Sequence, residues 1–506
     1  MSRSTALVAA AALVATAATG VTTARAEIRQ TTTLSPAQPV ALVAGQGAGD
    51  VNRTAERFTV HATDLGIMWR DSRGRVATAF GDTYGADWTG PGAGGPADWR
   101  FNTLAHSTDT DLTDGMTIDS MVTDRPGHAR QVLPADPSVP EVTVIPTAGF
   151  SDGSRDYLHY MSVREWGPGE GQWRTNYAGI AHSDDGGRTW VKSTSARWPD
   201  SGGGGRFQLG AFAERDGYAY LFGTPSGRFG NAHVARVAKA RVLDTAAYEY
   251  WTAAGWRVGA VDSSLPVMSG PVGELSVLYN GYLGRWVALH LDLTRRAVVL
   301  RTATEPTGPW TGGQVVAHDG DFPGLYGSYL HPASADGPDL YFAMSQWGPY
   351  HVRLMRLRLG DVALDPNLLH DGGFENRPPG AGPAPWRVTG RGGIDYDGQS
   401  HSGTNNGWVR PGSGWNDLFQ PIVVQPGRRY RLTAFVRGSA GFLGVRRPFG
   451  QGVVVERSFG ELSGYTWLSV DFAVGVEVDL EVFVGGWSVA GRDLRVLVDD
   501  VVLGPP

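Results

Sequence analysis

Three acidic residues in the sequence are placed where they could do chemistry. In "ATDLGIMWRDSRGRVATAFGDTYG" (Ala62–Gly85), Asp64 opens one short apolar run and Asp82 closes the next. In "GPVGELSVLYN", Glu274 opens another. A buried strand normally excludes an unpaired carboxylate, because taking its charge out of water is costly. Acids at the ends of several strands therefore suggest that those ends meet at a shared site. Glycoside hydrolysis needs two carboxyl groups: one protonates the leaving oxygen, and the other activates water or attacks the sugar. Crowding acids together raises the pKa of at least one and keeps a proton available near neutral pH. The competing reading is that Asp64 and Asp82 bond to turn amides and only brace the strands. Glu274 fits that reading less well, since a glutamate seldom sits in an apolar strand without a partner.

The elements that must position these acids form a weak repeat. Second strands align as "TAFGDTY", "LHYMSV", "AYLFGTP", "WVALHLD" and "YFAMSQW". Third strands follow as "NTLAHSTDTDL", "YAGIAHSDDGGRTW", "AHVARVAKARV", "AVVLRTATEPTGPW" and "YHVRLMRLRL". Five such units over residues 55–365 predict a five-bladed β-propeller, whose inner strands end at a central funnel. "SDDGGRTW" (Ser183–Trp190) has the S-x-D-x-G-x-T-W form of an Asp-box. Its aspartate accepts turn amides and its tryptophan packs beneath the turn, so it argues for the architecture rather than for catalysis. Polar and aromatic residues near other inner-strand ends could hold a sugar by stacking and hydrogen bonding: Gln208, Tyr326, Tyr329, His331, Gln346 and Trp347.

After residue 365 the texture changes. A Pro/Gly-rich stretch precedes alternating strands, so residues 366–506 predict a second all-β domain, a jelly-roll β-sandwich, joined at a boundary with few shared contacts. "GFE" near its start and "DDV" in its last strand resemble secreted carbohydrate-binding modules. That resemblance implies a structural calcium held by Asp371, Glu375 and Asp499, with Asp500 as an option; oxygen ligands suit that ion. Turn acids explain the same letters. Trp386, Trp408 and Trp415 are the aromatics expected to stack on glycan.

The whole chain sets the bounds. It has 506 residues, 71 glycines, 17 tryptophans, no cysteine and a formal net charge of −6. That composition argues against a nucleic-acid partner. Arg3, the apolar run Ala6–Ala18 and "ARA" at Ala24–Ala26 read as an export signal over residues 1–26. The run is too short to span a membrane. Residues 27–54 read as a loose lead-in. The mature protein is therefore expected to be secreted, extracellular and monomeric, with its cores held by packing rather than disulfides. No zinc, nucleotide or serine-nucleophile motif is present, and no catalytic cofactor is expected.

"TDLGIMW", "FGDTYG", "GELSVLYNGYLGRWVAL" and "YGSYLHP…LYFAMSQWGPYHVRLMRLRL" resemble a family of exported actinobacterial proteins long catalogued as a domain of unknown function. Some of its members are assigned as endo-D-arabinanases, which cut α-linked D-arabinofuranose chains of mycobacterial arabinogalactan and lipoarabinomannan. The resemblance covers residues 55–365. It implies a five-bladed propeller, a polysaccharide substrate and an acidic site at Asp64, Asp82 and Glu274. Two alternatives stand beside it. A sialidase-like exo-glycosidase would need an arginine cluster to grip a substrate carboxylate. A non-catalytic cell-wall glycan-binding protein would need stacking faces but no paired acids.

Overall fold

The computed structural model describes residues 35–506 apart from 96–97, 201, 203, 363, 377–381, 397, 411–412 and 489–494. The expected export signal at residues 1–26 lies outside the described residues. Antiparallel strands make up most of the fold, and the single described α-helix, Thr54–Phe58, has five residues. No described helix is long and apolar enough to cross a membrane.

Five antiparallel sheets follow one another along the chain. Their first strands are Leu65–Arg70, Thr143–Ser151, Leu209–Arg215, Leu275–Asn280 and Leu325–Leu330. Each first strand touches that of the next sheet, and the fifth touches the first, which closes a ring. Crowding on both sides explains their short apolar and small-residue runs, such as "LGIMW". The aligned second and third runs of the sequence repeat form the next two strands of each sheet, for example Val76–Phe80 and Thr103–Ser107 in the first. Sheet three is larger, with Glu249–Thr252 and Gly255–Val258 extending it and Pro266–Met268 pairing with its third strand.

The lead-in expected to be loose contains a strand. Gln38–Ala44 pairs with His351–Arg358 and becomes the outer strand of sheet five. Its "QPVALVA" run buries its last four residues. It also covers a row of backbone donors and acceptors that an exposed edge would leave open. Because the segment precedes sheet one and completes sheet five, it joins the two ends of the ring. The turn at Ser183–Trp190 has the expected form. Asp185 accepts the Thr189 amide at 2.8 Å, and Trp190 packs edge-on against Trp69 at 6.4 Å, which fastens sheet two to sheet one.

The C-terminal region forms two five-stranded sheets over a separate core that includes Leu418, Leu432, Leu443, Val482 and Val498. The expected boundary with few shared contacts is corrected here. Gly312 N–H donates to the Asn367 carbonyl at 2.8 Å, and the Gln425 amide reaches the Thr307 carbonyl at 2.7 Å. Contacts bind the described residues into one compact unit. At the junction, Arg295 and Arg301 flank the two ring nitrogens of His370 at 2.8 and 3.2 Å. Arg295 is paired with Asp292 at 2.7 Å. Burial and then the charge of Arg295 lower the Arg301 pKa to about 9. Burial and the two guanidiniums keep the His370 ring neutral. The buried Arg295 and Arg301 thus close on the linker's His370, whose neutral ring accepts from one of them, which a Pro/Gly-rich sequence does not reveal.

His370→Ala removes the neutral ring that lies between the two guanidiniums and the single acceptor nitrogen it offers them. The expected loss is about 1–3 kcal/mol, the cost of leaving a buried donor unsatisfied, measured by urea unfolding against wild type. A change within error would mean that this junction does not couple the two cores.

Candidate active site

Asp64 stands where sheet one begins, at an irregular strand start. Leu65 (φ 68°) and Gly66 (φ 96°) are both left-handed, and the ladder to Val76–Phe80 is interrupted between Leu65 and Ile67. A bulge of this kind re-aims a side chain, and a left-handed leucine is strained. The Leu65 amide is held by the Ser345 hydroxyl at 2.8 Å. The Asp64 carboxylate lies so close to Gly81 that a Cβ there would sit 2.3 Å from Oδ1. The glycine of "FGDTY" is therefore a matter of space.

The structure brings the three predicted acids into one electrostatic cluster. The Tyr326 hydroxyl donates to Asp64 Oδ2 at 2.9 Å. Burial, then the charges of Asp82 and Glu274, push the Asp64 pKa up to about 8 against hydrogen bonds from Tyr326 and Tyr350. Asp82 accepts from Trp99 Nε1 and the Thr143 hydroxyl, each at 2.9 Å. Burial raises its pKa to about 6 against these two bonds. Glu274 is buried and takes a two-pronged ion pair from Arg228, with Nη2 at 2.6 Å and Nε at 2.9 Å from Oε1. The site therefore combines a carboxyl that is neutral near pH 7, a second acid that ionises about two units lower, and a carboxylate fixed by a guanidinium. Farther along the first strands, the ring encloses a cavity of about 230 Å³ lined by residues of all five, among them Met68, Gly149, Phe212, Val277 and Tyr329.

The candidate sugar-binding residues divide into two groups. Tyr329 is buried and lies within electrostatic reach of Glu274 and Asp64. Trp347 is exposed beside the acids, with its ring 6.4 Å from Tyr326. Gln346 lies next to it, but its oxygen faces His351 at 3.3 Å and Arg353 at 3.4 Å. Gln208 and His331 are corrected to scaffold positions. The Gln208 amide accepts from the Thr175 hydroxyl at 2.8 Å and donates to the Trp198 carbonyl at 3.0 Å. His331 stands at the opposite end of its strand from Tyr326 and accepts the Ala333 amide at 3.1 Å, capping a short turn. Burial and nearby Arg70 lower its pKa to about 4.

Arg228, Trp99, Thr143 and Tyr350 complete the site and were not singled out as site residues in the sequence. One signal could have found Arg228. Arg228 in "FGTPSGRFG" and Trp347 in "MSQWGPY" follow the second strand of their units, as Asp82 does in "FGDTYG". Aligned repeat positions therefore mark the rim of the site.

Residues 49–356 match the model of a family described as a domain of unknown function, DUF4185. The chain belongs to that family. Notoamide biosynthesis cluster protein J of Aspergillus sp. (strain MF297-2) is 27% identical over 319 residues, covering 59% of this chain and 83% of that protein. Notoamide biosynthesis cluster protein J' of Aspergillus versicolor is 29% identical over 323 residues, covering 59% and 84%. Among solved structures, a glycoside hydrolase family 43 arabinoxylan arabinofuranohydrolase from Bacillus subtilis aligns with a TM-score of 0.37 and 12% identity, over 92% of this chain and 99% of that one. That likeness is too low to support fold or function. All three acids and Arg228 lie inside the DUF4185 match.

The acids expected to hold calcium lie outside it. Glu375 accepts the Thr404 amide at 2.8 Å, the Thr404 hydroxyl at 2.9 Å and the Asn405 amide at 2.7 Å. Asp499 accepts the amides of His401, Ser402 and Asp500 at 2.8–3.0 Å. Asp371 accepts the Asn376 amide at 3.1 Å. Glu375 and Asp499 thus brace one loop, 401–405. Asp500 binds the same loop through the Ser402 hydroxyl at 2.7 Å. Among the described residues, no three acids or histidines form a metal-binding group.

The Asp64 carboxyl titrates near 3.8 in an unfolded chain and near 8 in the fold. The native state binds this proton more tightly, so its stabilising effect is complete below about pH 4 and is lost as pH rises through about 8. Asp64→Asn does not titrate. Its melting temperature should gain on wild type steadily between those limits and run parallel above them, as followed by scanning calorimetry. A difference independent of pH would mean that Asp64 is not held neutral.

Proposed function

We propose that this protein is a glycoside hydrolase that cuts within α-linked D-arabinofuranose chains of the mycobacterial type. In this reading the five ringed sheets are propeller blades, and the C-terminal sheets are a jelly-roll sandwich. The first 26 residues direct export, and the protein acts outside the cell as a monomer. The observation that carries the reading is the acid cluster. Asp64 keeps a proton to about pH 8 while Glu274, from the fourth sheet, is held by Arg228.

Those states suit the two roles of the reaction. Asp64 protonates the glycosidic oxygen as the bond to the anomeric carbon breaks. Glu274 supplies the carboxylate that attacks that carbon or takes a proton from attacking water. Asp82 keeps the Asp64 proton in place by adding negative charge beside it. The site excludes bulk water through Tyr326, Tyr329 and Tyr350, which strengthens each electrostatic interaction. A sialidase-like reading is disfavoured, because the arginine at the site, Arg228, is already engaged by Glu274 and cannot grip a substrate carboxylate.

The second domain would raise the local concentration of substrate. Of the three suspected tryptophans, Trp386 is core: it is buried, and its indole donates to the Asp371 carbonyl at 2.9 Å. Trp408 carries the Arg410 guanidinium over its ring at 4.8 Å. Trp415 is the best placed, 5.9 Å from Trp487, which is 62% exposed. This pair supports a stacking surface.

Incubation with purified arabinogalactan should release short arabinose oligosaccharides before free arabinose. Asp64→Asn and Glu274→Gln should each lower kcat by about 10²–10⁴ with circular dichroism unchanged, and kcat/KM of wild type should fall as pH rises through about 8. Near-full activity in either variant would remove that acid from the reaction. Separately, Trp415→Ala with Trp487→Ala should weaken pull-down by insoluble cell wall and leave turnover of soluble oligosaccharide unchanged; unchanged pull-down would refute the stacking surface.

A further inference from the structure

Aromatic rings form a continuous arc across the acid cluster. At one end, Trp166 meets Trp173 edge-on at 6.1 Å. The Arg228 guanidinium bridges onward, 5.8 Å from the Trp173 ring and 5.3 Å from the Tyr326 ring. Tyr326 then meets Trp347 at 6.4 Å, and Trp347 meets Tyr350 at 5.6 Å. Tyr350 leads to Tyr84 at 5.8 Å, and Tyr84 stacks on Trp99 at 6.5 Å. Four members of the arc are the groups that hold the acids. Tyr326 and Tyr350 bond Asp64, Trp99 bonds Asp82, and Arg228 pairs with Glu274.

The two ends of the arc, Trp166 and Trp99, and Trp347 within it are open to solvent. Trp166 and Trp347 are each 51% exposed, and Trp99 is 39% exposed. They belong to different sheets. Trp166 ends the second strand of sheet two, beyond Val163, which pairs with Thr143 beside Asp82. Trp347 follows the second strand of sheet five. A half-exposed tryptophan offers a broad apolar face at a rim, the kind of surface that stacks on a sugar ring. Between Trp166 and Trp347 the arc runs through Arg228 and Tyr326, the partners of Glu274 and Asp64. Arg228 is neutralised by Glu274, so the groove suits an uncharged chain.

We propose that this arc is the binding groove for an uncharged glycan chain, with Trp166 holding the arm on one side of the cleaved bond and Trp347 the arm on the other. The proposal rests on the glycosidase reading and adds to it the two residues that set chain-length preference. Both are specificity determinants and neither performs the chemistry. A chain long enough to reach both gains affinity from each, whereas a short one gains from one at most.

The test uses the Asp64→Asn protein, so that binding is measured apart from turnover. Isothermal titration compares D-arabinan oligosaccharides of four and eight residues. Adding Trp166→Ala or Trp347→Ala should each weaken octasaccharide binding about 3- to 10-fold. At least one of them should leave the tetrasaccharide unchanged, and Trp166→Phe should restore most of the loss. In the otherwise native protein, Trp166→Ala should raise KM for the octasaccharide and leave kcat unchanged. Equal effects on both lengths, no effect on the octasaccharide, or no octasaccharide binding at all would overturn the groove. Octasaccharide binding that depends on both tryptophans, with no cleavage by wild type, would uphold the groove and overturn the glycosidase reading instead.

Discussion

Keeping one carboxyl group protonated inside the protein, beside two others, is the constraint on which the rest of the site depends. Water would ionise Asp64 well below neutral pH; burial and the charges of Asp82 and Glu274 hold the proton until about pH 8. That arrangement is unfavourable taken alone. The local geometry answers to it. Leu65 and Gly66 are left-handed so that the strand can begin with Asp64 turned toward its neighbours. Gly81 leaves room for the carboxylate, Tyr326 donates to it, and Arg228 balances the charge of Glu274. Each feature is a local departure from ideal strand chemistry, and all of them concern the same few oxygens.

Such a cluster needs a rigid surround, because a shift of an ångström would admit water and let Asp64 ionise. The closed ring supplies it. Residues 64, 82, 274 and 326 are distant in sequence, yet they meet because each stands at or near the same end of its sheet. Three devices stiffen the ring. Gln38–Ala44 ties the beginning of the described chain to sheet five, the Asp185 turn sets Trp190 against Trp69, and the Arg295–His370–Arg301 contact fixes the linker. With no cysteine available, backbone ladders and buried polar contacts do what disulfides do in many exported proteins.

Much of this was legible before any coordinates. The period-two strands, the five-fold repeat of second and third strands, and the shift of texture near residue 366 follow from local chain chemistry, which sequence records directly. The acids were legible for the same reason: Asp64, Asp82 and Glu274 interrupt apolar strands at their ends, where an ionisable group needs an explanation. Gln208 and His331 were misread because a polar residue at a strand end looks alike whether it faces a ligand or a backbone carbonyl. Glu375 and Asp499 likewise have the letters of cation ligands, and the same letters brace the loop 401–405 through its amides.

The sequence by itself therefore determined an all-β chain with a repeated middle, a separate C-terminal core and three acids at strand ends. These are consequences of side-chain polarity and spacing, which act between near neighbours. Only the tertiary structure decided which acid keeps its proton, because that depends on burial and on the charges that folding sets beside it, Asp82 from the next strand and then Glu274 from the fourth sheet. It alone placed Arg228 against Glu274, Trp99 against Asp82 and the N-terminal strand in the last sheet. Such pairings join segments with no sequence relation to one another. They exist because closing the ring brings the ends of all five first strands within reach of a single small volume.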